Sequence, residues 1–230
     1  MRCGILIGML ALAGAAVPAQ SQRSANALSG AAATVTFTLD FPQSNPEHYS
    51  ISVDASGHAR YECSAKVAED SEPQSYQTEF DVTSARREKI FDWAKQAQFF
   101  SGNIDSKNNN LAFTGAKVLS YQDSRNSYTA RYNYSNLSPV KQLTAFFQDL
   151  AATLEYGRRL AYDQRYQKLA LDAELKQMES QARNGELSEM QSVAPVLQEI
   201  VGDPAVINVV RSRAKQLLEN VTSTSAATRH

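Results

Sequence analysis

The side chains best suited to act as base, nucleophile or metal ligand near neutral pH are few: His48, His58, His230, Cys3 and Cys63. Cys63 closes the run Ala59-Arg-Tyr-Glu-Cys63, in which Ala59, Tyr61 and Cys63 share one strand face and Arg60 and Glu62 the other. That pattern describes a buried thiol acting as a small hydrophobe, with pairing between two chains as the alternative. A catalytic thiol needs an adjacent base. His58 opens the same run on the Arg60–Glu62 side, facing solvent, and His48 sits before the preceding strand. Neither has a nucleophile nearby in sequence. There is no Gly-x-Ser-x-Gly elbow, His-Glu-x-x-His pair, phosphate-binding Gly-x-x-x-x-Gly-Lys loop or zinc-type cysteine pair. Asp105-Ser-Lys-Asn-Asn-Asn110 has the outline of a calcium loop, but Lys107 stands where an oxygen ligand is required and no glycine follows. No catalytic, cofactor-binding or metal-binding residue is assigned.

The richest cluster of contact-forming side chains is aromatic. Tyr121, Tyr128, Tyr132 and Tyr134 fall on one hairpin, Tyr156, Tyr162 and Tyr166 on a long helix, with Arg131, Arg158, Arg159 and Arg165 interleaved. Tyrosine beside arginine suits a binding face, and Tyr128, Arg131, Tyr132 and Tyr134 are its candidate residues. Tyrosine also suits half-buried strands. Glu155 and Arg159 stand four apart, the spacing of an ordinary helix ion pair.

These residues need elements to hold them. Val35 to Phe41, Tyr49 to Val53, Ala59 to Cys63 and Tyr76 to Val82 each alternate apolar and polar positions, the mark of half-buried strands. The second and third flank Asp54-Ala-Ser-Gly57 and pair as a hairpin. At Ser84 the period becomes helical, with Ile90, Trp93, Ala94, Ala97 and Phe100 on one stripe, Thr83 or Ser84 as cap and Gly102 past the end. After an asparagine-rich loop, Lys117–Tyr121 and Tyr128–Tyr134 form a second hairpin.

From Ser138 to about Ala182 the pattern stays helical, with Pro139 at the first position and Gly157 as a point of kinking. Unbroken, roughly 45 residues would reach about 65–70 Å, so the far half projects or folds back. Glu186–Val201 and Asp203–Val221 then read as a helical hairpin, closed by Gly202, capped by Asp203 and started by Pro204. Its wording resembles one unit of a HEAT-type repeat, where a solenoid needs about three. The expected fold class is therefore α+β: an antiparallel sheet of five to six strands with one packed helix, then a long helix and a C-terminal helical hairpin. The expected divisions are a sheet-plus-helix domain over 32–137, a helical region over 138–221 and a disordered tail over 222–230.

The N-terminus carries an address. Arg2 precedes the apolar run Gly4–Val17, and Val17-Pro-Ala19 offers small residues for cleavage before Gln20. The run has 14 residues, short of the ~20 that span a bilayer. Residues 1–19 read as a signal peptide and 20–31 as a flexible leader, so the chain is expected to be exported, periplasmic or extracellular, with no membrane span after cleavage. A net charge of −1 gives no case for nucleic acid or for general attraction to anionic membranes.

Tyr49-Ser-Ile-Ser-Val53, Gly57-His-Ala-Arg-Tyr61 and the helix from Ser84 through Ile90-Phe-Asp-Trp-Ala-Lys-Gln-Ala-Gln-Phe-Phe100 resemble a family of uncharacterised exported bacterial α+β domains, over about residues 34–135. The resemblance implies an exported domain and transfers no catalytic residue. The expected function is a non-enzymatic envelope or secreted protein whose C-terminal helices contact a protein partner or a second copy. The alternatives are a hydrolase on cell-wall or peptide substrates, and a small-ligand or glycan binder using the tyrosine hairpin.

Overall fold

The computed structural model describes residues 32–42, 44–66, 71–108 and 110–227, with side chains to 221. The signal and leader expectations, and the last three residues of the tail, lie outside the described residues. Six antiparallel strands form one sheet: β1 Thr34–Asp40, β2 His48–Asp54, β3 His58–Ala65, β4 Gln74–Asp81, β5 Ala116–Gln122 and β6 Ser127–Tyr132. Their order is β4-β3-β2-β1-β5-β6, so β1 lies between the two hairpins that the turn residues specify. Gly57, at φ +97°, closes the first hairpin in a conformation that glycine adopts without steric cost. Asp123 ties off the second, its Oδ1 accepting the Arg125 and Asn126 N–H groups at 2.7 Å each.

Alternation places Val35, Phe37, Ile51, Val53, Tyr61 and Leu119 on one face, where they are fully buried. The opposite face carries threonines, serines and charged residues, and among the described residues no helix covers it. Two helices cover the apolar face: α1 Ser84–Gln96 and α2 Ser138–Tyr166. After α1, Gln98, Phe99 and Phe100 all take positive φ in a short left-handed turn. That turn sets the Phe99 ring 4.4 Å from Tyr121 and buries Phe100. In α2, Phe147 stacks flat on Phe37 at 5.5 Å, and the helix crosses the strands towards β3.

The expected continuous helix to Ala182 is broken. α2 ends at Tyr166, and α3 runs Leu171–Asn184 after a turn without proline or glycine. Burial explains the break. Straight continuation would leave Leu171, Leu175 and Met178 in water, and folding back buries all three completely against Leu160 and Tyr156. Gly157 lies inside α2, which runs through it without a break.

The stretch expected as one helix over Glu186–Val201 is a loop, a 3₁₀ turn at Met190–Val193 and α4 Ala194–Gly202. α5 is Asn208–Ala227. It begins five residues after Asp203, because Asp203 caps a separate turn by accepting the Ala205 N–H at 2.8 Å. It also continues as helix past Thr222, where the polar composition had placed a tail. Two apolar clusters result. One joins the sheet to α1 and to α2 as far as Leu154; the other joins Tyr156 and Leu160 to α3, α4 and α5. We call them the sheet unit and the helical unit, and the seam between the two clusters falls inside α2, between Leu154 and Tyr156.

Candidate functional site

At that seam the inward face of α2 presents a charge. Ala151 and Leu154 point at the sheet, and Glu155 and Arg158 continue the same face one turn on. They are 4% and 6% exposed. The strand alternation that buries Tyr61 and Cys63 sets those side chains beneath them. Glu155 Oε1 accepts from the Tyr61 hydroxyl at 2.8 Å, the Cys63 thiol at 3.4 Å and Arg158 Nε at 3.2 Å. Its Oε2 accepts from Arg158 Nε at 3.0 Å and Nη2 at 2.7 Å. Arg158 Nη2 also reaches the Lys66 carbonyl at 3.1 Å. The expected Glu155–Arg159 pair is therefore replaced: position 158 faces inward, whereas Arg159 faces α3, pairs with Glu174 at 2.5 Å and lies 4.7 Å over the Tyr156 ring.

The cluster has the vocabulary of an active site but the saturation of a strut. Burial, then the Glu155 charge, pushes the Cys63 thiol up to about 12 and raises the Tyr61 hydroxyl well above the usual tyrosine range. Both stay protonated at neutral pH and act as donors, so Cys63 is not a thiolate nucleophile. Being 4% exposed, it is also out of reach of a second chain's thiol. Sequence reasoning placed Cys63 correctly but missed Glu155 and Arg158 as a pair. The signal was available: two charges on the apolar stripe that runs from Leu143 to Leu154.

The histidines go elsewhere. Asp40, His48 and Ser64 stand opposite one another across β1, β2 and β3 in register. His48 Nδ1 lies 2.5 Å from Asp40 Oδ1. The composition is that of a nucleophile triad, and sequence inspection alone did not bring these residues together. No hydrogen bond joins His48 to Ser64 among the described residues, and the histidine is half-exposed on the open sheet face. His58 sits between Glu79 at 3.7 Å and Asp81 at 3.4 Å on the same open face. Neither histidine lines either cleft described below. The Asp105 carboxylate is used by the fold: it accepts the Lys107 N–H at 2.5 Å and the Asn133 N–H at 2.8 Å, fastening the loop to the chain just past β6.

The tyrosine hairpin is not gathered into one exposed face. Tyr132 is 5% exposed, and its hydroxyl bonds Thr144 in α2 at 2.6 Å. Tyr128 is half-buried beside Tyr121, Arg131 is exposed on β6, and Tyr134 lies past the strand with Lys141 5.7 Å over its ring.

A cleft of about 650 Å³ lies where the start of α1 meets α3, α5 and the 187–191 segment. Glu189 builds one wall. Held at φ +52°, its carboxylate accepts the Thr83 N–H at 2.7 Å, the Thr83 hydroxyl at 3.2 Å and Gln191 Nε2 at 2.5 Å. Arg86 Nε is 3.6 Å away. Thr83 thus precedes α1 without capping it through its own side chain; its backbone N–H is taken by the helical unit. Leu187, Met190, Leu217 and Val221 give the cleft apolar walls, and Lys89 and Arg183 stand at its lining. Glu179 there is engaged by Arg213 at 2.6 Å and Arg183 at 2.8 Å. Lys89 makes no ion pair among the described residues. A smaller cleft of about 260 Å³ lies against the seam, bounded by Tyr49, Gln148, Glu155, Tyr156 and Arg159. Among the described residues no group of three or more metal-ligating side chains converges, and no helix is long and apolar enough to cross a membrane. No protein-family model and no curated protein matches this chain.

Proposed function

We propose that this chain is an exported, non-enzymatic interaction module of the periplasm or extracellular space. Its partner is a protein segment carrying an acidic group beside apolar side chains. The observation that carries this reading is the 650 Å³ cleft. Its carboxylates are already engaged by Thr83, Arg86, Arg183 and Arg213, while Lys89 has no ion pair among the described residues. An acidic group entering there meets uncompensated positive charge, and Leu187, Met190 and Leu217 take apolar side chains next to it. Export is supported by the cationic start, short apolar run and small-residue exit of residues 1–19, and by the resemblance over residues 34–135.

Photo-crosslinking tests it. A photoreactive residue replacing Ala85, which lines the cleft without carrying its charge, in the full chain expressed in its own host, is expected to give one discrete adduct in the envelope or secreted fraction. Ala182→Trp, which fills the cleft from its lining, is expected to remove that adduct. An adduct pattern indifferent to Ala182→Trp would overturn the cleft as the site. A chain that keeps residues 1–19 and stays in the cytosol would overturn export.

A further inference from the structure

Of the eight exposed large hydrophobic side chains among the described residues, four lie on two adjoining turns of the helical unit. Tyr166 is 65% exposed, Leu169 93%, Ile207 60% and Val209 55%. The first two lie at the α2–α3 turn, the other two where α4 connects to α5. Lys168 Nζ bonds Asp203 Oδ2 at 2.6 Å and holds the two turns side by side. Pro204 and Ala205, between them, are exposed as well. Beneath this surface Val206 and Val210 are buried in the helical core, so the tip is a supported part of the fold. Single exposed apolar residues are ordinary on a protein surface; a contiguous set on adjoining turns marks a contact surface.

Position and shape narrow the partner. Tyr166 lies roughly 16 Å along α2 from Glu155 at about 1.5 Å per residue. Glu155 stands over β3, and only β4 lies further out, roughly 5 Å away. The tip therefore projects past the sheet edge. Leu169 has almost no neighbour from its own chain. Three of the tip's backbone donors are satisfied internally: Ala170 N–H bonds the Gln167 carbonyl at 2.7 Å, Val206 N–H the Asp203 carbonyl at 3.1 Å and Val210 N–H the Ile207 carbonyl at 3.1 Å. Immersing these turns strands none of those three donors. The Asp203 carboxylate is neutralised by Lys168 and sits within the field of Arg211. Arg165, exposed beside Tyr166, adds a second cation. A projecting, highly exposed apolar tip with Arg165 and Arg211 beside it fits the headgroup region of a bilayer.

We infer that the paired turns carrying Tyr166, Leu169, Ile207 and Val209 form a reversible docking tip for a phospholipid surface bearing anionic headgroups. The surface is separate from the α1–α5 cleft, so either assignment can fail without the other.

The test uses residues 20–230, which contain every described residue and lack the apolar N-terminal run that would itself bind lipid. Flotation with phosphatidylglycerol–phosphatidylethanolamine vesicles is expected to carry the chain, and phosphatidylcholine vesicles to carry much less. The double variant Leu169→Ser/Ile207→Ser is expected to lower partitioning at least about tenfold, since each change removes roughly two buried carbon groups from the lipid contact. Arg165→Gln is expected to weaken the preference for anionic vesicles and its sensitivity to salt. In a separate variant, Leu169→Trp, indole emission is expected to shift blue on adding anionic vesicles. Absence of partitioning by the unaltered chain overturns the inference. So does a Leu169→Ser/Ile207→Ser variant that turns a dimer into a monomer in lipid-free buffer while vesicle binding is unchanged, because the tip would then be a contact between copies.

Discussion

The two units sharing α2 are held together by different means. In the sheet unit, alternation on six strands builds an aromatic layer: Phe37, Tyr49 and Tyr61 meet Phe147 and Phe146 of the helix. In the helical unit the core is mostly aliphatic, from Leu160, Leu171 and Leu175 to Leu197, Ile200 and Leu217. The sheet unit is specified residue by residue through register, because a one-residue slip would turn Phe37 or Ile51 to solvent. The helical unit is specified by how segments fold back on one another, which no short stretch encodes. Between them stands the buried Glu155–Arg158 pair, in a position where apolar side chains would have been simpler. A buried pair of this kind contributes little net stability, yet removing one partner is costly. Its contribution here is alignment: it fixes α2 on β3 and so sets where the helical unit begins.

The largest expected effect therefore comes from separating the pair. Glu155→Ala leaves the Arg158 guanidinium buried without its carboxylate and removes the acceptor for Tyr61 and Cys63. Denaturant unfolding should show a loss of about 3–5 kcal/mol. The double variant Glu155→Leu/Arg158→Leu should recover most of it, since two apolar side chains can fill the site without stranding a charge. A double variant as unstable as Glu155→Ala would show that the site demands polarity for a reason other than alignment.

The same contrast decides what could be read from the sequence. The strands, both hairpins and α1 were legible because period two, Gly57 and the switch at Ser84 are local signals. The central place of β1 was not, since pairing between Thr34–Asp40 and Ala116–Gln122 spans about 80 residues. The break at Gln167 was illegible for another reason. No residue there forbids a helix, and the turn exists because Leu171, Leu175 and Met178 gain burial by reversing direction. Of the candidate site, Cys63 and Tyr61 were visible on a strand face. Glu155 and Arg158 were hidden by their resemblance to surface charges, because the i,i+4 rule pointed to Arg159 while the inward face of α2 selected position 158. The clefts depend on contacts between units, of which the Thr83–Glu189 bonds are an example that no spacing announces.

A smaller perturbation tests the seam from the helical side. Gly157 sits in α2, where an added Cβ would meet Val193 Cγ1 at 2.6 Å. Gly157→Ala should cost about 1–3 kcal/mol by overpacking, less whatever the helix gains from alanine. The damage should fall on the helical unit: amide exchange should speed up around Met190–Val193 and α4, while β1, β2 and β5 keep their protection. Equal loss of protection in both units would mean that they unfold as one and that the division at Glu155 has no thermodynamic meaning.

The smallest effect lies on the sheet side of the seam and appears only in alkali. The Cys63 thiol is held at about 12 in the folded chain against an ordinary 9.0, chiefly by burial and then by the Glu155 charge. A raised acid binds its proton more tightly in the folded state, so it contributes nothing unfavourable below pH 9. As pH rises from 9 towards 12, the unfolded chain releases the proton first and is favoured. By pH 10 the loss should be on the order of 1 kcal/mol relative to pH 8. Tyrosines titrate nearby, so the measurement compares the unaltered chain with Cys63→Ala, which should be less stable at pH 8 but lose less between pH 8 and 10. Parallel curves for the two chains would show that the thiol is not isolated from water. The strut would then open in the folded state, and Glu155 would be within reach of solvent after all.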